Sequence, residues 1–219
     1  MIRPPDDGGR GRLLALEGID GCGKSTQARM LADSLGALLT FEPGDTELGA
    51  ALRTLLLRPG GHPRTPRAEA LLMMADRAEH VAEVVEPALL AGRWVVTDRY
   101  SGSTLAYQGW GRILDVEALR VISRWAADGR EPDLTVLVDV SVDVARERLL
   151  GVAPDRLERL DATFFERVRQ GFLAEAAADP SGWAVVDGSG GPDEVAGAVR
   201  RVVRERTGWP TARTGADDG

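Results

Sequence analysis

Residues 17–26, EGIDGCGKST, constrain what this chain can fold into more than any other stretch. They follow the apolar run 13–16 and precede a helical pattern that puts Ala28, Leu31 and Leu35 on one face. Gly18, Gly23, Lys24 and Ser25 fit the G-x-x-x-x-G-K-[ST] pattern of a phosphate-binding loop. Glycines let the main chain wrap closely enough for successive amides to converge on an anion. A helix starting near Lys24 directs its positive dipole end at the same point. A chance glycine turn needs neither the strand before it nor the helix after it. Lys24 is also the only lysine in the chain, where 26 of the 27 basic residues are arginine. A guanidinium fork cannot replace a compact ammonium inside a tight loop. Gly18, Ile19, Asp20, Gly21, Cys22, Gly23, Lys24, Ser25 and Thr26 therefore read as the cradle of a nucleoside triphosphate, with the Ser25 hydroxyl placed to ligand Mg²⁺.

Beyond the loop, short apolar runs alternate with helical periodicity. Strands are expected at 13–16, 37–41, 94–97, 134–138 and 183–186. Helices are expected at 25–35, 46–57, 67–91, 115–128, 141–150, 161–178 and 192–206, with a kink or break at Pro87. The alternation predicts an α/β fold: a three-layer α/β/α domain around a five-stranded parallel sheet. That domain spans 12–206, between flexible tails at 1–11 and 207–219.

Composition narrows the function classes. Net charge is −7, so no global basic field calls for nucleic acid or an anionic membrane. A single cysteine excludes an intramolecular disulfide framework and a cysteine-rich zinc site. No apolar run approaches the ~20 residues of a membrane span. Residues 1–11 lack the apolar core of a secretory signal, and cytoplasm is the expected compartment.

In open parallel sheets, ligands bind beyond the C-terminal ends of the strands. There the chain places the glycine loop, then Glu42-Pro43-Gly44-Asp45-Thr46, then Asp98-Arg99-Tyr100, and then Asp139. Acidic and basic groups gather at one rim, suited to a magnesium nucleotide and a second anion.

Asp98-Arg99-Tyr100, followed by Ser103-Thr104-Leu105-Ala106-Tyr107-Gln108-Gly109, joins EGIDGCGKST and the EPG-x-T turn in one collinear order. With Gly111-Arg112, Pro132-Asp133-Leu134 and Asp155-Arg156-Leu157-Glu158, the chain resembles thymidylate kinase of the bacterial type from about residue 13 to 205. The resemblance implies the P-loop nucleoside monophosphate kinase fold with a mobile lid, here about 146–158. It implies ATP as phosphoryl donor, Mg²⁺, dTMP as acceptor and a homodimer.

Residue by residue, the resemblance implies Lys24 on the β- and γ-phosphates and Asp98 as the carboxylate that holds Mg²⁺ beside Ser25. Arg99 would fork onto the acceptor phosphate. Asp20 would accept from the sugar 3′-hydroxyl, and Arg77 would approach the thymine edge and the acceptor phosphate. Ser103, Thr104 and Gln108 belong to the acceptor-binding set, with Thr104 and Gln108 as the base-reading pair. Tyr107 would pack under the deoxyribose. Arg148 and Arg156 would come from the lid and neutralise charge developing in transfer. Several of these have plainer readings: Arg77 as one charge on a solvated helix face, Tyr107 as a core tyrosine, Arg148 as a surface residue.

Two positions depart from the family pattern. Phe41 stands where the family turn carries arginine, and Met73 stands where it commonly stacks a phenylalanine on thymine. These departures motivate an alternative acceptor, another or a modified pyrimidine deoxynucleoside monophosphate. A catalytically inactive nucleotide-binding protein is the third reading. Cys22 reads first as a small residue tolerated at a variable position of the loop; because a helix N-terminus lowers thiol pKa in general, alkylation there that blocks ATP binding is the second reading. His62 and His80 show no metal-ligand spacing and are expected at the surface.

Overall fold

The computed structural model describes residues 10–58, 64–151 and 160–209. The five apolar runs form strands: β1 (Leu13–Glu17), β2 (Leu38–Phe41), β3 (Val95–Asp98), β4 (Leu134–Asp139) and β5 (Trp183–Asp187). They lie parallel in the order β2-β3-β1-β4-β5. Central β1 is buried at every residue, whereas edge strands β2 and β5 expose alternate residues. Leu14 and Leu16 of β1 enter one apolar cluster with α1 (Lys24–Leu35), α8 (Ala162–Ala178) and α9 (Pro192–Thr207). Leu13 and Ala15 enter a second cluster with Val81, Val85 and Leu89 on the opposite face. Helices thus cover both faces, which is why continuous apolar runs rather than alternating ones specify this sheet.

Register brings the strand ends to one rim. Asp98 pairs with Leu16 and with Phe41, and Glu17 pairs with Leu137, so the segments leaving β1, β2 and β3 emerge side by side.

The remaining helices are α2 (Glu47–Leu57), α3 (Pro66–His80), α4 (Glu86–Leu90), α5 (Ser101–Thr104), α6 (Val116–Ala126) and α7 (Val142–Arg148). Thr46, Thr65, Asp115, Ser141 and Asp161 cap α2, α3, α6, α7 and α8 through side-chain oxygens. Between α3 and α4, Val81–Val85 forms a π-helical stretch, so the segment expected at 67–91 stays helical through Pro87. A proline lacks the N–H that a regular turn requires, and the wider turn before it accommodates the loss.

No helix was expected over 101–111, yet α5 runs directly into π-helical Leu105–Gly111. Gly102, Gly109 and Gly111 lower helix propensity enough to hide it. Close packing explains two of them. A Cβ at Gly111 would lie 2.7 Å from the Phe164 ring, and one at Gly102 would lie 2.6 Å from Trp183. Gly11 and Trp209, both inside the segments expected as tails, make defined contacts. The Gly11 amide donates to the Leu89 carbonyl at 2.8 Å, and Trp209, 6% exposed, packs into the main core.

Tyr107 meets the edges of Phe164 and Phe172 at centroid distances of 6.2 and 6.1 Å, locking this π-helical segment to α8. Phe172 is 1% exposed. Phe172→Ala is expected to lower unfolding free energy by about 3–5 kcal/mol, measured by urea denaturation of the ligand-free protein.

Candidate active site

Gly18, Gly21 and Gly23 have φ of 145°, 84° and 95°, all in the left-handed half that glycine tolerates. A Cβ at Gly21 would sit 2.3 Å from the Ala145 carbonyl oxygen. Gly23 caps α1 without a side-chain acceptor, so the first amides of that helix have no local side chain to bind. Lys24 is 5% exposed, and its Nζ lies 3.4 Å from both the Ile19 carbonyl and Asp20 Oδ1. Cys22 is 1% exposed, and burial pushes its thiol up despite nearby Lys24. The plainer reading of Cys22 fits: the side chain turns into the core, where desolvation outweighs the helix end.

Two cavities meet at the end of this loop. The first, about 330 Å³, is lined by Asp20, Phe41, Arg53, Met73, Arg77, Asp98, Arg99, Ser103, Thr104, Tyr107 and Gln108. The second, about 390 Å³, is lined by the loop, Gln27, Arg148, Gly188, Gly190 and Pro192. Lys24 and Ser25 line both.

Arg99 organises the wall of the first cavity from a left-handed backbone, φ 76°. Its Nη1 donates to Ser103 Oγ at 2.9 Å and to the Gly18 carbonyl at 3.4 Å. Its Nη2 donates to Asp20 and to Tyr107 Oη, and the guanidinium lies 5.0 Å from the Tyr107 ring centre. Tyr107 Oη in turn donates to Asp20 Oδ2 at 2.8 Å. Burial alone would raise the Asp20 carboxyl, but Arg99 and Lys24 outweigh it and hold it well below the usual range.

Arg77 is 2% exposed, so the solvated-face reading of it fails. Its Nε and Nη2 donate to Glu42 Oε2 at 2.9 and 2.7 Å, and its Nη1 donates to Ser123 Oγ at 2.8 Å. Thr104 Oγ1 accepts from Nη1 and Nη2 at 3.2 and 3.1 Å. His80, expected at the surface, is 0% exposed: Nδ1 lies 2.9 Å from Glu42 Oε1, and Nε2 lies 2.6 Å from Thr40 Oγ1. The correction has a simple cause. Met73, Asp76, Arg77 and His80 fall at i, i+3, i+4 and i+7, one face of α3, and the absence of metal spacing says nothing about burial. His62 and Arg156, with most of the lid expected at 146–158, lie outside the described residues.

Glu42 is the residue the motif reading left unused. Burial would raise its carboxyl, but Arg77 and His80 hold it low. Asp76, 1% exposed, accepts the Gly44 amide at 2.9 Å, and burial beside Glu42 pushes it up to about 6. Gln108 donates Nε2 to Glu69 Oε1 at 3.0 Å, which fixes its amide, and Arg112 also pairs with Glu69. Met73 reaches the same cavity. Phe41 leaves no charge at the strand end, but Arg53 of α2 stacks 5.5 Å from its ring centre, donates to the Pro43 carbonyl at 2.7 Å and lines the cavity.

Arg148 is anchored to main-chain carbonyls around the second cavity. Its guanidinium donates to the carbonyls of Cys22 at 3.2 Å, Gly188 at 2.9 Å and Ser189 at 3.2 Å. It ties the end of α7, where the expected lid begins, to the loop after β5 and walls the second cavity. Asp98 Oδ1 is a buried oxygen with no hydrogen-bond partner, and Ser25 lines the same cavity. That oxygen fits a hard cation. Among the described residues no group of three or more His, Cys, Asp or Glu forms a closed cage. A cation here would take few protein ligands and fill its shell from phosphate and water, as Mg²⁺ does.

The family model described as thymidylate kinase matches residues 16–199. A thymidylate kinase of Synechococcus sp. (strain RCC307) is 48% identical over 208 residues, covering 90% of this chain and 97% of the relative. A thymidylate kinase of Clavibacter sepedonicus is 50% identical over 199 residues, covering 88% and 93%. Among solved structures, thymidylate kinase from Ehrlichia chaffeensis superposes with a TM-score of 0.75 at 29% identity, covering 89% of this chain and 99% of that one.

Asp76 gives a pH test of the site's electrostatics. Its folded-state pKa lies above the ordinary carboxylate value, so its favourable contribution is complete below about pH 4 and is lost as pH rises through about 6. Asp76→Asn is expected to gain melting temperature relative to the parent as pH rises through that window. Thermal unfolding without ligand checks it; a difference constant with pH would contradict the assignment.

Proposed function

The chain belongs to the thymidylate kinase family, and on that premise we propose that it transfers the γ-phosphoryl group of ATP to the 5′-phosphate of dTMP, giving dTDP and ADP. The observation that carries this reading is the junction of two cavities at Lys24 and Ser25. A donor in one and an acceptor in the other would meet at a single buried ammonium. Phosphoryl transfer needs little covalent help, so alignment and charge are what the protein must provide.

In this reading the loop amides and the start of α1 hold the ATP phosphates, and Lys24 bridges the β- and γ-groups. Asp98 and Ser25 would hold Mg²⁺, which would offset charge on the phosphate oxygens. Arg99 presents its fork to the acceptor phosphate in exchange for part of its contact with Asp20, which is then free to accept from the 3′-hydroxyl. Arg53 supplies from α2 the positive charge that Phe41 does not. Thr104, Arg77 and the amide of Gln108 line the base end, with Met73 packing on the ring through its polarizable sulfur. Tyr107 closes the sugar end, where a 2′-hydroxyl would crowd it. Arg148 holds the donor cavity's wall, and Arg156 of the lid approaches the transferring group.

Exposed Leu48 and Leu55 of α2, Leu71 of α3, and Val121 and Trp125 of α6 stand on helices that contact one another in series. Exposed apolar residues on three helices packed in series support a homodimer through α2, α3 and α6. Among the described residues no helix is long and apolar enough to cross a membrane.

Lys24→Ala is expected to lower kcat by about 10²–10³-fold with an unchanged circular dichroism spectrum. An ADP-release assay across dTMP, dUMP and dCMP should rank dTMP first; a preference for dCMP would reject the acceptor assignment. Trp125→Glu should shift the protein from dimer to monomer in sedimentation velocity, and an unaltered sedimentation coefficient would remove α6 from the interface.

A further inference from the structure

Glu17 closes β1 directly before the phosphate-binding loop, yet its carboxylate serves the other cavity. The residue is 0% exposed. Oε1 accepts the backbone amides of Tyr100 and Ser103, both at 2.9 Å. Oε2 accepts from Ser103 Oγ at 2.6 Å, and that same Oγ accepts from Arg99 Nη1 at 2.9 Å. Helix α5 has no side-chain cap of its own, since Tyr100 stands at its N-cap position. Glu17 thus supplies from a neighbouring strand the acceptor that a local Ser or Asp would ordinarily provide. The slot is tight: a Cβ at Gly102 would lie 3.0 Å from Glu17 Oε1.

We propose that Glu17 is the positioning residue of the acceptor site: through the α5 amides and the Ser103 hydroxyl it fixes the turn at Arg99, and so sets where the guanidinium fork meets the acceptor phosphate. The inference rests on the kinase reading above. It links the donor loop and the acceptor helix through one side chain, because residue 17 leads into the loop while its oxygens hold the segment that carries Arg99, Ser103, Thr104 and Tyr107.

The charged groups facing this carboxylate are Arg99 on the turn and Arg77 from α3. Burial raises Glu17 to about 6, and the Ser103 hydroxyl, Arg99 and the two amides only partly oppose that. Below that pH a proton occupies one oxygen, and the carboxyl can no longer accept all three hydrogen bonds. Grip on the acceptor should therefore weaken as pH falls through about 6. Asp76 titrates in the same window but belongs to α3 and binds Gly44, so a variant separates the two.

Glu17→Gln in the full chain is the test. The amide keeps one acceptor oxygen for the backbone but offers Ser103 Oγ a donor where the hydroxyl needs an acceptor. KM for dTMP should rise about tenfold near neutral pH, the loss of one charge-assisted hydrogen bond, while KM for ATP changes less than about twofold. The acceptor phosphate itself titrates at about pH 6, so the acid limb of kcat/KM for dTMP should become shallower in Glu17→Gln and keep the parent's steepness in Asp76→Asn. An unchanged KM for dTMP, an equal rise in both KM values, or an acid limb as steep as the parent's in Glu17→Gln overturns the proposal. Should Glu17→Gln fail to fold, Ser103→Ala leaves the carboxylate in place and removes the relay hydroxyl. It should raise KM for dTMP selectively, and an unchanged value overturns the proposal equally. Turnover of dTMP by the parent tests the acceptor assignment separately. If the parent prefers another nucleoside monophosphate, the same split in KM, read with that acceptor, decides the role of Glu17.

Discussion

A single buried ammonium, Lys24, stands where two cavities join, and the surrounding architecture can be understood as the means of keeping it there. A lone charge in that position would be costly without partners. Asp20 Oδ1 and the Ile19 carbonyl supply them weakly, at 3.4 Å, which leaves the group available to a stronger anion. The strand order matters for the same reason. β1 is central, with β3 and β4 on either side, so the loop leaving it is flanked by Asp98 at the end of one neighbour and by Asp139 at the end of the other.

Along the first cavity lies a buried polar layer: Glu42, Arg77, His80 and Asp76. Such layers seldom add stability over an apolar packing of the same shape, because desolvation offsets attraction. Their value here is geometric. Glu42 takes both Arg77 nitrogens and His80 on its two oxygens, leaving Arg77 Nη1 directed at Thr104 and Ser123. Glu42, Arg77 and His80 are each fixed by more than one partner, so the cavity floor is set before any ligand arrives.

Much of this was readable from the residues. The glycine loop, the five strands and the long helices follow from spacing and apolar periodicity alone, with boundaries a residue or two from those observed. What escaped did so for identifiable reasons. The helix over 101–111 was concealed by glycines that serve packing against Phe164 and Trp183 rather than flexibility. His80 looked unremarkable because its partners come from β2 and the turn after it, distant in sequence. Cys22 pointed inward although its backbone lines an anion site, a direction that motif spacing does not encode. Arg53 carried no signal until Phe41 was seen beneath it.

The backbone at Arg99, φ 76°, places a bulky side chain where L-residues are rarely comfortable. Glycine would relax the main chain there and forfeit the guanidinium; any other side chain would keep the strain and lose the fork. The position is caught between conformational and chemical demands that no single replacement satisfies together. A replacement at this corner of the molecule therefore reaches Asp20, Ser103 and Tyr107 at once, and through Ser103 it reaches Glu17.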